Sequence, residues 1–114
     1  MDLLNRSAFI LRPKQPYLEW TRQDDAEGLA EGVFEALNHE PVVYLVPGWE
    51  DPEEEQHILR EFWHALFEAM LGAWVTDETL WPEKRSLKMF REWFEIRTHS
   101  MVQDIYMDEA IEYV

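Results

Sequence analysis

Short apolar runs bounded by prolines alternate along this chain with longer stretches of helical period. Ala8–Arg12 is apolar and ends at Pro13; Phe9, Ile10 and Leu11 fall on both sides of an extended chain, which predicts an interior strand. Pro16 can open a single helical turn, Pro16–Thr21, with Leu18 and Trp20 facing opposite ways. From Asp24 the period turns helical: Asp24 or Asp25 caps the start, and Leu29, Val33, Phe34 and Leu37 recur on one side until Asn38 and Pro41 end it. Gly28 and Gly32 weaken that helix by about 1 kcal/mol each relative to Ala. Pro41–Pro47 encloses five β-branched, aromatic and aliphatic residues, the clearest strand, apolar on both faces.

Glu53–Trp74 predicts the main helix. Leu59, Phe62, Trp63, Leu66, Phe67 and Met70 share a broad apolar arc, while His57, Arg60, Glu61, His64 and Glu68 fill the opposite one. Pro52 and the acidic run Glu53–Glu55 suit a helix start, where acid complements the positive end of the macrodipole. Glu83–Trp93 predicts a second amphipathic helix, with Leu87, Met89, Phe90 and Trp93 on one side and Lys84, Arg85, Lys88 and Arg91 on the other. Phe94–Val102 fits both an alternating strand and a helical period; its β-branched residues favour the strand. Met107–Val114 reads as a peripheral tail. The order strand, helix, strand, long helix, helix, strand gives an α+β fold, with a sheet of three or four strands carrying its helices mainly on one face.

A chain of 114 residues has room for one core, so residues 1–114 are expected to form one domain. Twenty-four acidic against ten basic residues leave a net charge of −14, which argues against binding nucleic acid through phosphate contacts and against an anionic membrane surface. No apolar run approaches the ~20 residues of a membrane-spanning helix, and MDLLNRSAFIL lacks the pattern of a secretory leader. The absence of cysteine excludes disulfides and thiol chemistry and fits a cytoplasmic location.

PKQPYLEW near the start, and TDETLWPEKRSLKMFREWFEI with HSMV near the end, resemble a family of small, acidic bacterial proteins of unknown function. The resemblance implies a soluble, single-domain bacterial protein and brings no catalytic or ligand residue with it.

Four residues have metal-ligand chemistry at helical spacing: His57, Glu61, His64 and Glu68 project from one face, with Glu61 and His64 forming an E-x-x-H step. A di-metal bundle needs four long helices and a second such step, and a solvated face with i,i+4 Glu–His pairs accounts for the same residues. The expectation is therefore no metal and no other cofactor. His99, Ser100 and Asp104 do not make a hydrolase triad, because adjacent strand residues point to opposite faces. No nucleophile elbow, P-loop or dinucleotide fingerprint is present, so no catalytic residue is nominated.

Lys84, Arg85, Lys88 and Arg91 concentrate four of the ten basic residues beside Trp81-Pro82. Arginine and tryptophan are enriched at interface hot spots, which makes Trp81, Lys84, Arg85, Lys88 and Arg91 the candidates for binding a protein partner. Sixteen aromatic residues, six of them tryptophan, exceed what core filling demands; Trp20, Trp49 and Trp81, in turn-like segments, either line a groove or cover a core edge. The reading that follows is a non-catalytic protein–protein interaction module. The alternative is a ligand- or metal-binding protein or enzyme with a groove between the sheet and the long helix; a nucleic-acid mimic is disfavoured by the basic patch. Because residues 8–12 and 42–46 are apolar on both faces, a sheet covered on one side only leaves an apolar face, and a homodimer is the expected remedy.

Overall fold

The computed structural model describes residues 2–114 and has an α+β fold. Chain order is β1 (Asp2–Leu3), β2 (Arg6–Pro13), α1 (Gln15–Arg22), α2 (Ala30–His39), β3 (Val43–Pro47), α3 (Pro52–Gly72), a 3-10 turn at Glu78–Leu80, α4 (Leu87–Trp93), β4 (Phe94–His99) and β5 (Gln103–Asp104). β2 is the centre of an antiparallel sheet ordered β3-β2-β4, and β1 pairs with β5 in a separate two-stranded ribbon.

Alternation along β2 sets the two sides of the sheet. Ser7, Phe9, Leu11 and Pro13 look inward, in register with Val46 and Tyr44 of β3 and with Thr98, Ile96 and Phe94 of β4. Against them lies one core built from Tyr17 and Trp20 of α1, Ile58, Leu59, Leu66, Phe67, Met70 and Leu71 of α3, and Phe90 of α4. The aromatic rings interlock: Phe67 lies 5.4–5.6 Å from Phe90, Trp93 and Phe94, centre to centre. α1, α3 and α4 thus share one face of the sheet, as the periodicity predicts, while α2 brings Phe34 and Leu37 against the core and accepts at its Asn38 carbonyl from Arg12 Nε.

The opposite face carries Arg6, Ala8, Ile10 and Arg12 of β2, Val43 and Leu45 of β3, and Glu95, Arg97 and His99 of β4. None of these belongs to the core cluster; Val43 and Leu45 are 55% and 50% exposed, whereas the small side chain of Ala8 is buried. β3 is an edge strand, bounded by Pro41 and Pro47, rather than a strand covered on both sides.

Several boundaries depart from the periodicity for identifiable reasons. α2 begins at Ala30 and not near Asp24, because Gly28 takes φ +72° and breaks the helical path. The Asp25 carboxylate still serves the helix start, accepting from the Leu29 and Ala30 amides at 2.6 and 3.0 Å. α1 is a full eight residues, not a single turn. α3 is capped by Asp51, which accepts from the Glu54 amide at 2.8 Å, while Glu54 reaches back to the Glu50 amide. α4 begins at Leu87, capped by Ser86, so Lys84 and Arg85 lie in the preceding loop rather than on a helix face with Lys88 and Arg91. Phe94–His99 is a strand, and α4 passes into it without a connecting loop.

Candidate functional site

Of the sequence-nominated partner residues, Trp81 borders a well-formed concavity. It is a groove of about 480 Å³ lined by Pro16, Glu19, Trp20, Gln23, Leu80, Trp81, Pro82, Met89 and Trp93. Its position follows from local structure. Pro16 in the first turn of α1 sets that helix; Met89 and Trp93, four apart on α4, supply the opposing wall. Asp77 closes the end by accepting from both the amide and the hydroxyl of Thr79, at 3.0 and 2.7 Å, which fixes the 3-10 turn carrying Leu80. The same hydroxyl and amide bonds, in that order, hold the Asp77 carboxyl below its ordinary value.

The groove is mixed in chemistry: Glu19 and Gln23 of α1 bring polar groups beside the rings and aliphatic side chains. Trp20 donates its indole N–H to the Leu80 carbonyl at 3.1 Å, and Trp81 donates to the Val75 carbonyl at 2.9 Å. With its indole N–H satisfied inside the protein, Trp81, partly exposed, presents ring surface to an incoming group, whereas Trp20 is only 7% exposed and belongs mainly to the core. Trp20 and Trp93 also pack against each other, 6.0 Å between centres, and against Tyr17. Trp49, by contrast, covers a core edge against Phe9.

The basic residues divide. Arg85 is tied into the protein: its Nη1 donates to the Pro82 carbonyl at 2.7 Å, its Nη2 to Glu68 Oε2 at 2.9 Å, and the guanidinium lies 6.0 Å from the Trp81 ring centre. Its Nε is buried without a hydrogen-bond partner. Arg91 reaches Gln56 Oε1 on α3, and its backbone carbonyl accepts from Lys14 Nζ. Lys84 and Lys88 stand exposed on the segment that carries Trp81, Pro82 and Met89.

Arg85 also bears on the candidate metal ligands. Its Nη2 lies 3.2 Å from His64 Nε2 as well as 2.9 Å from Glu68, so a guanidinium sits between the two side chains a cation would bridge. His57 pairs with Glu61 at 3.9 Å and His64 with Glu68 at 3.7 Å, each an i,i+4 contact on the outer side of α3. Among the described residues, no three or more His, Asp or Glu side chains converge on a point a metal could occupy.

A second concavity, of about 390 Å³, lies between α3 and β4, where a groove between long helix and sheet was expected. Glu55, Gln56, Leu59, Arg91, Ile96 and Thr98 line it, and the Arg91–Gln56 hydrogen bond crosses it. Among the described residues no helix is long and apolar enough to cross a membrane. Compared with family models, with curated proteins and with solved structures, the chain gives no match. Function therefore has to be argued from the surfaces themselves.

The sequence offers Trp20 and Trp81 as rings that either line a groove or cover a core edge, and both border this groove; it does not single out Pro16, Met89 and Trp93 as the remaining walls. The i,i+4 spacing of Met89 and Trp93 is in the sequence; what it does not state is that α1 packs across from them.

Proposed function

We propose that this chain is a non-catalytic protein–protein interaction module of the bacterial cytoplasm, and that it receives an apolar segment of a partner protein in the groove between α1 and α4. The observation that carries the reading is that Trp20, Trp81 and Trp93 converge on one open groove with the Trp20 and Trp81 indole N–H groups already satisfied. Aromatic anchors set in a concave surface are what protein interfaces concentrate their energy on. Lys84 and Lys88, exposed beside the groove in a chain of net charge −14, favour a partner segment that carries acid next to its apolar residues.

The test is affinity purification of the tagged full-length chain from its host beside two variants. Met89→Glu places a charge in the groove wall, and Lys84→Glu with Lys88→Glu reverses the charge at its side. Exposed charges of this kind are worth ~0.2–1 kcal/mol, so the lysine variant keeps its melting temperature within a few degrees. A stoichiometric partner retained by the wild type, lost with Met89→Glu and weakened by the lysine pair, supports the reading. A partner retained equally by all three, or a small molecule or metal copurifying in its place, overturns it.

A further inference from the structure

The β1–β5 ribbon and the sheet are one continuous two-stranded run. From Ala8 opposite His99 to Pro13 opposite Phe94, partner numbers of β2 and β4 keep one register. Leu3 opposite Gln103, Asp2 opposite Asp104 and the Leu4 amide bonded to the Val102 carbonyl at 2.7 Å continue it with a shift of one residue. Four residues, 4–7, therefore face three, 100–102, which is a bulge on the N-terminal strand. Ser7, buried at this point, holds it: its Oγ donates to the Ser100 carbonyl at 2.9 Å and accepts from the Trp49 amide at 3.1 Å. β3 stops at Pro47, opposite Arg6, so beyond the bulge the two strands run on alone.

The result is an arm. The radius of gyration is 15.7 Å and the longest extent 47 Å, where a compact chain of this length has a radius of about 13 Å. The arm is apolar and bare: Ile105 is 80% exposed, Ile111 66%, and Leu3, Met101, Tyr106 and Met107 are each more than half exposed. Two isolated strands are marginally stable in water at best, so a ribbon of this kind calls for packing against something else. Residues 101–114 carry Asp104, Asp108, Glu109 and Glu112 and no basic side chain.

The uncovered face of the sheet is its complement. Val43 and Leu45, half exposed, and the partly buried Ile10 form an apolar half around the buried Ala8, and Arg6, Arg97 and His99 surround it. Arg12 beside them donates its Nε to the Asn38 carbonyl at 3.2 Å, and one acid, Glu95, pairs with Arg97 at 3.0 Å and with Arg12 at 3.9 Å. This is a cationic rim on an apolar floor, in a molecule that is otherwise strongly anionic. We propose that residues 101–114 of one protomer lie across the outer sheet face of a second copy, and that the exchange is reciprocal, giving a twofold dimer. The second copy is the occupant because the acidic, apolar residues 101–114 complement the basic rim and apolar floor of the sheet face in charge and chemistry, and because the ribbon pairs beyond the point where β3 ends. The arm and the outward sheet positions together come to about the ~20–30 residues a side that stable interfaces use. This surface is separate from the tryptophan groove, so either proposal can fail without the other.

The test uses the full-length chain. Light scattering at micromolar concentration and physiological salt gives twice 13.8 kDa for the wild type. Ile105→Asp with Ile111→Asp, on the arm, and Val43→Glu with Leu45→Glu, on the sheet, each weaken association about tenfold or more, while circular dichroism shows the fold retained. Mixed one to one, the two variants form a heterodimer, because the intact arm of one meets the intact face of the other. A wild type that stays at 13.8 kDa across the concentration series overturns the proposal. So does an arm variant that still dimerises, which would mean that the sheets stack directly. Variants that stay monomeric when mixed would mean that the arm folds back on its own sheet, and also overturn it.

Discussion

Tyr17 shows how much one side chain decides here. It is fully buried, touches Trp20, Trp93 and Phe94, and donates its hydroxyl to the Met70 carbonyl at 2.7 Å. That carbonyl lies in the last turn of α3, among the four that a helix end leaves without an intrahelical donor. Tyr17→Phe keeps the ring and removes the donor, and is expected to cost about 1–2 kcal/mol in denaturant unfolding. Burial first, and Tyr44 second, push the Tyr17 hydroxyl well above a tyrosine's ordinary value, and burial raises Tyr44 too. The folded chain therefore holds protons that the unfolded chain releases near pH ~10. Stability from these two groups is complete below that pH and falls as pH climbs above it. Melting temperatures measured from pH 8 upward should drop at the alkaline end, and less steeply in Tyr17→Phe once its lower starting stability is subtracted.

At the scale of the element, the strongest patterns in the sequence became the best-matched structures. The period of Leu59, Phe62, Leu66 and Met70 fixed α3 within a residue or two of its ends, and the prolines at 41 and 47 fixed β3. What the sequence could not state was which of two apolar faces would be covered. A strand apolar on both sides reads as interior, and β2 is; β3 has the same composition and lies at an edge, because only pairing order distinguishes them. The basic patch was misplaced for a related reason. A helical wheel puts Lys84 and Arg85 beside Lys88, but the Ser86 hydroxyl takes the Met89 amide and starts the helix later, which frees Arg85 to reach α3. Two turn residues test this account. Gly28 sits at φ +72° with open space where a methyl group would stand, so Gly28→Ala costs only backbone strain, about 1 kcal/mol. Asp51→Ala removes the α3 cap and should cost about 1 kcal/mol as well. Chemical denaturation with unchanged m-values is the check for both.

For the molecule as a whole, a net charge of −14 opposes compaction. Screening shortens the reach of that repulsion to about 8 Å at physiological ionic strength, so the melting temperature should rise when salt is added from a few millimolar to ~0.15 M. The same series, read by light scattering, separates stability from association, since the arm–sheet contact proposed above would be partly ionic and would weaken as screening grows. The sheet order has a further consequence, in time rather than space. β2 is the central strand, yet β3 follows it by some thirty residues and β4 by more than eighty. At ~5–20 residues per second of synthesis, β2 waits roughly 4–17 s for its second neighbour. Over that interval one edge of β2 stands unpaired and Phe9 and Leu11 lack the Phe94 and Ile96 that complete their layer, so on the ribosome the core of this protein is begun early and closed late.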